Sequence, residues 1–169
     1  MIDISTVATQ CIAEYEKRRE MARNGGKIGL TTGLSKLDHI TGGWKPGQLI
    51  ILAARPAMGK TAMLLHFAKS ASIAGIPVVI FSLEMEVQAL TNRALLSESE
   101  VNSDRFKAGT LSTEEETSLC QAIGQISCLP ISLDDSANIS MQQIKTRARE
   151  LRRKGKCGLV LIDYLQLID

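Results

Sequence analysis

Short unbroken apolar runs separated by helical segments restrict this chain more than any other feature. Leu49 to Ala53 (LIILA), Val78 to Phe81 (VVIF) and Leu159 to Ile162 (LVLI) contain no polar alternation. A strand written this way is buried on both faces, and the helices between the runs supply the cover. The expectation is an α/β fold, a mostly parallel sheet flanked by helices. Ile131 to Leu133 reads as a further short strand. Helices are expected over 61–74, 87–96, about 113–126, and from Ser140 to Gly155. Ser112-Thr113 with Glu115-Glu116, and Ser140 with Gln143, carry the spacing of a capping box, in which side chain and backbone cap each other reciprocally. With 169 residues the chain is long enough for one domain with a real core.

The first of these runs leads into "AARPAMGKTA", residues 53 to 62. Its end, Gly59-Lys60-Thr61, fits the phosphate-binding pattern G-x-x-x-x-G-K-[ST], but Ala54 stands where the first glycine belongs. A bare GKT occurs by chance in about one chain in ten of this length, so the tripeptide alone decides nothing. Context decides it. A strand before the loop and a helix from Thr61 are what a phosphate cradle requires, because the helix N-terminus turns free N–H groups and the positive end of its dipole toward an anion. Gly59 lets backbone approach phosphate closely. Lys60 is placed to reach the β- and γ-phosphates of a nucleotide, and the Thr61 hydroxyl to ligate Mg²⁺. Alanine at 54 is acceptable if its φ is negative, and Pro56 favours an extended Arg55.

Two acids extend the pattern. Asp163 closes the apolar run in "LVLIDY", the position of a Walker B carboxylate. Glu84 lies just past "VVIF", at the carboxyl end of a parallel strand, where ligands bind in open α/β sheets. There it serves either as the base that polarises an attacking water or as an acid at a helix start.

At these residues the chain resembles a family. "TTGLSKLDHITGGWKPGQLIILAARPAMGKTA", "VVIFSLEM" and "GLVLIDYLQLI" look like the RecA-like ATPase domain of the DnaB-type replicative DNA helicases. Variation at the first P-loop glycine is typical there. The resemblance covers about residues 30 to 169. It implies a RecA-like fold, ATP and Mg²⁺ as cofactors, and a homo-oligomeric ring, a hexamer, that hydrolyses ATP between subunits and moves along single-stranded DNA at a fork. It also implies primase and a helicase loader as partners of the full-length protein. Carried over by position, Ala54, Arg55, Pro56, Ala57, Met58, Gly59, Lys60, Thr61 and Ala62 bind nucleotide. Lys60 and Glu84 carry catalysis, and Thr61 and Asp163 hold the metal.

Residues 1–26 are expected as an N-terminal linker helix, running over about 5–23 and stopped at Asn24-Gly25-Gly26, with Ser5 or Thr6 as cap. Its stripe of Ile4, Val7, Ala8, Cys11, Ile12 and Tyr15 resembles the helix that packs on a neighbouring subunit. Residues 27–169 are then a partial RecA-like domain. The resemblance implies a fragment, with the arginine finger and DNA-gripping loops beyond Asp169. Two other readings stand beside the helicase: a non-catalytic nucleotide-binding or interaction module, and another RecA-like ATPase, which "FSLEM" and "IDYLQL" disfavour.

The remaining features are bland. Net charge is +2, too balanced to argue for nucleic acid. Cys11, Cys120, Cys128 and Cys157 lack zinc spacing and read as reduced thiols. Lys145, Arg149, Arg152, Arg153 and Lys156 make a basic face, read as a solvated helix face before a DNA contact. Trp44 reads as packing, and His39 and His66 have no catalytic neighbours. With no membrane span or leader in the sequence, the expected setting is the cytoplasm.

Overall fold

The structure is a computed structural model that describes residues 3–23 and 29–168. The stop at Asn24-Gly25-Gly26 lies outside the described residues. The chain divides into two compact units, Met1–Ile51 and Leu52–Asp169.

In the first unit, α1 (Ile4–Arg23) begins earlier than its sequence suggests. Val7 N–H donates to the Asp3 carbonyl at 3.3 Å, and the Ser5 hydroxyl turns back to the Asp3 carboxylate. Ser5 and Thr6 therefore lie inside the helix rather than capping it, because the carbonyl of residue 3 already accepts a helical bond. The side chains of Ile4, Val7, Ile12 and Tyr15 are all exposed. A second helix, α2 (Ser35–Thr41), was not legible in the sequence and ends at Gly42 with φ 72°. Asp38 on it accepts from the Thr32 N–H at 2.8 Å and the Thr32 hydroxyl at 2.6 Å, which ties the helix to the chain before it. Leu30 and Trp44 form an antiparallel bridge. Gly43 has to be glycine there: its φ is 75°, and a Cβ would sit 2.8 Å from the Leu30 carbonyl oxygen. Trp44 is buried, in keeping with a packing role.

The second unit runs α3 (Lys60–Ile73), β1 (Val78–Ser82), α4 (Val87–Ser99), α5 (Ser103–Ala108), α6 (Thr113–Ser127), β2 (Ile131–Asp134), α7 (Met141–Arg153) and β3 (Leu159–Asp163), followed by a 3₁₀ turn at Leu165–Leu167. The strands form one parallel sheet in the order β2-β1-β3. Both expected capping boxes exist. Ser112 exchanges bonds with Glu115, and Ser140 with Gln143. The short helix α5 has no counterpart in the sequence reading; Asn102 caps it by accepting from the Asp104 and Arg105 N–H groups.

Burial on both faces holds only for β1, every residue of which is buried. β2 is half-buried throughout and Val160 of β3 is exposed, because each has β1 on one side only. The expected strand at Leu49–Ala53 is not formed. No described residue of that run enters a ladder, and Leu49, Ile50, Ile51 and Leu52 are exposed. An apolar run becomes a strand only when another edge accepts its N–H and C=O groups, and β1 has given both its edges to β2 and β3.

Val79 and Phe81 of β1 pack with Ile139 and Ile144, and Leu83, Leu151, Cys157 and Ile162 close around them. The helix α3, which buries Leu64, Phe67, Ala68 and Ala71, packs against β1 and β3. Full burial of each large apolar side chain contributes about 1.5–3 kcal/mol. The cations of α7 are exposed while Ile144 is buried, as its amphipathic spacing requires. All four cysteines are free. Among the described residues no helix is long and apolar enough to cross a membrane.

Candidate functional site

The loop before α3 has the backbone of an anion cradle. Gly59 is the N-cap of α3 with φ 86° and ψ 21°, and it offers no side-chain acceptor to the first turn. Those N–H groups are therefore open to an outside anion. Ala57 also has positive φ, at 63°, two residues earlier. Left-handed residues alternating in this way turn successive N–H groups inward, the arrangement of a backbone nest. The Met58 N–H closes a turn on the Arg55 carbonyl at 3.3 Å. Ala54 is not among the residues with positive φ, which explains why the first glycine of the pattern is dispensable here. Sequence reasoning missed Ala57, because nothing in an alanine signals a left-handed backbone.

The loop's end meets the end of β3. The Thr61 hydroxyl donates to Asp163 Oδ2 at 2.7 Å, a buried contact between residues 102 positions apart. Lys60 Nζ lies 3.2 Å from Asp163 Oδ1, with the lysine side chain 30% and the aspartate 3% exposed. That oxygen has no hydrogen-bond donor of good geometry. The Lys60 contact is thus an ion pair by distance rather than a directed bond. A buried carboxylate oxygen so poorly supplied with donors, beside a threonine hydroxyl, is a donor set suited to a hard divalent cation such as Mg²⁺. Among the described residues no three His, Cys, Asp or Glu side chains cluster as a metal cage. A cation that keeps its waters and takes one carboxylate plus substrate phosphate needs no cage. Lys60 Nζ also stands 3.9 Å from the ring centroid of Tyr164.

Glu84 sits in the bend after β1 and is exposed. Ser82 pairs in register with Asp163, and the Leu83 N–H donates to the Asp163 carbonyl at 2.7 Å. Both acids therefore belong to the same carboxyl edge of the sheet. The Ser82 hydroxyl donates to the Met85 carbonyl at 2.6 Å and holds the bend. The helix α4 starts only at Val87, with no acid in its first turn, and its Val87 N–H is taken by Asp135 at 2.8 Å. Glu84 thus lies outside that helix's first turn, which removes the helix-start reading. The sequence reading groups the loop 54–62, Glu84 and Asp163, and one sheet edge carries them all. It assigns Tyr164 no part.

Comparison with known proteins agrees with this arrangement. The family model described as the DnaB-like helicase C-terminal domain matches residues 29–169. A replicative DNA helicase DnaB of Leifsonia xyli is 35% identical over 168 residues, which is 99% of this chain and 36% of that protein. A Synechocystis replicative helicase DnaB is 41% identical over 172 residues, all of this chain but 19% of its own length. A Geobacillus stearothermophilus relative is 40% identical across 87% of this chain and 33% of itself. The chain thus spans about a third or less of these curated relatives. Among solved structures, one helicase-type ATPase domain superposes with a TM-score of 0.88 at 32% identity, covering 99% of this chain and 60% of that one. A DnaB-like replicative helicase, studied with its interactions with primase, gives 0.86 at 32% identity over 100% of this chain and 40% of that one. The parallel sheet with its flanking helices is therefore the RecA-like fold of DnaB ATPase domains, and the chain belongs to the DnaB-like helicase C-terminal domain family.

Proposed function

We propose that residues 27–169 form the nucleotide-binding part of a replicative helicase motor and that residues 1–26 link it to its neighbours. The observation that carries this reading is the contact of Thr61 and Lys60 with the buried Asp163, which joins a helix-capped anion cradle to a carboxylate at one sheet edge. ATP is the ligand that fits. The loop Ala54–Ala62 wraps its phosphates, with Lys60 as the point charge nearest the γ-phosphate. Thr61 and Asp163 would hold Mg²⁺, which when bound neutralises charge on the β- and γ-phosphates. Glu84 accepts a proton from a water molecule. The water oxygen bonds to the γ-phosphorus as its bond to the β–γ bridging oxygen breaks, giving ADP and phosphate. A base so placed contributes about 10²–10⁴-fold.

The exposed apolar side chains of α1 support docking on a second subunit, head to tail, the kind of contact that closes a ring. A hexamer moving on single-stranded DNA in the cytoplasm follows from the family. Partnership with primase is supported by the solved DnaB-like helicase whose interactions with primase are known. Calorimetry tests the cradle. Lys60→Ala should weaken Mg-ATP binding at least about tenfold, or 1.4 kcal/mol. Equal affinity in variant and parent would overturn the assignment.

A further inference from the structure

Lys60 has two anchors, and they differ in what they do to its charge. Asp163 is an anion and cancels part of it. Tyr164 is neutral; its ring attracts the ammonium through the quadrupole of its face, 3.9 Å from the centroid. The Asp163 carboxylate is already shared with the Thr61 hydroxyl. A divalent cation held at that pair draws the carboxylate's charge to itself and weakens its hold on Lys60. The ring loses nothing in that event. It keeps the ammonium in place while leaving its full positive charge for phosphate. A lysine needs such help, because its flexible four-carbon stem loses rotamer freedom whenever the head group is fixed. Tyr164 is itself held, half-buried at the start of the 3₁₀ turn, its carbonyl accepting from the Leu167 N–H at 3.2 Å.

We propose that Tyr164 is a positioning residue for nucleotide binding, its ring face aiming the Lys60 ammonium at the phosphate cradle. This rests on the nucleotide-binding reading of Lys60. The ring face, not the hydroxyl, carries the role, so phenylalanine substitutes and an aliphatic residue does not.

The test is a double-mutant cycle on the affinity of the full chain for Mg-ATP, read by calorimetry, with folding checked by circular dichroism. Tyr164→Phe should bind within about twofold of the parent. Tyr164→Leu should bind about three- to tenfold more weakly, the range of one partly exposed cation–π contact. In the Lys60→Ala background the same Tyr164→Leu change should cost nothing further, because the charge it aims is gone. Loss of affinity that persists in that background would mark a merely structural role and overturn the proposal. Unchanged or tighter binding by Tyr164→Leu would also overturn it. If Lys60→Ala itself leaves affinity intact, the nucleotide reading fails first, so the two failures are distinguishable. Should Tyr164→Leu not fold, the parent and Tyr164→Phe still answer by NMR. The Lys60 ε-methylene protons, lying over a ring, should resonate upfield of those of the other lysines in both proteins. Ordinary positions in both would sink the proposal.

Discussion

Thr61→Val is the sharpest perturbation of the candidate site. Valine nearly matches threonine in shape but has no hydroxyl, so the change removes one hydrogen bond and little else. The bond is the 2.7 Å contact to Asp163 Oδ2, and its acceptor is 3% exposed, too buried for water to replace the donor readily. Its companion oxygen already lacks a well-directed donor. Losing a hydrogen bond to a charged, buried group costs about 1.5–3 kcal/mol. The Lys60 ion pair remains, and because Lys60 is 30% exposed its Coulombic share is screened, which argues for the lower half of that range. For a chain of this size each kcal/mol moves the midpoint by about 2–4 °C. The expected fall in Tm is therefore about 3–12 °C, read by circular dichroism at pH 7 without nucleotide. The same variant should lose most of the Mg²⁺-dependence of ATP binding, since it lacks one of the two oxygen donors. An unchanged Tm would refute the buried bond. An unchanged Mg²⁺-dependence would refute the metal role of Thr61.

Other expectations follow from single contacts. In a chain extended past Asp169, Glu84→Gln should keep Mg-ATP affinity and lose about 10²–10⁴-fold in turnover; steady-state hydrolysis at the parent rate would strip Glu84 of the base role. Deleting residues 1–24 should shift the solution mass distribution toward monomer by light scattering, and an unmoved distribution would mean that α1 is not the connector. Asp134 reports on acid stability. Burial pushes its carboxyl up, but hydrogen bonds from Ser136 and Arg147 and the Arg147 charge outweigh that and hold it below the ordinary 3.8. A depressed folded pKa gives stability that is present above the unfolded value and lost as pH falls below about 4 through the folded value. Asp134→Asn should flatten this acid slope in denaturant melts between pH 5 and 2, and an identical slope would count against it.

Much of this protein was legible in its sequence because the causes are local. A capping box closes within four residues, so Ser112 with Glu115 and Ser140 with Gln143 announce α6 and α7 without any knowledge of the fold. The left-handed backbone at Gly59 and the open first turn of α3 follow from a glycine set against a helix start. Even the membership of the site, Lys60, Thr61, Glu84 and Asp163, could be read from spacing against apolar runs. Where causes are distant the sequence fell short. Leu49–Ala53 is as apolar as β1, yet only β1 found edges on both sides, and no property of LIILA itself records that. The short helices α2 and α5 show too few turns for periodicity to register. Asp3 rather than Ser5 starts α1, because which carbonyl takes the first bond is settled by the path of the chain. The contact that makes the site a site, Thr61 and Lys60 on Asp163 with the Tyr164 ring beside them, joins residues about a hundred positions apart. Sequence could name those residues. Only the parallel register that sets β3 beside β1, with α3 packed on both, brings the oxygens, the ammonium and the ring within bonding distance, because such contacts depend on ångströms and not on residue type.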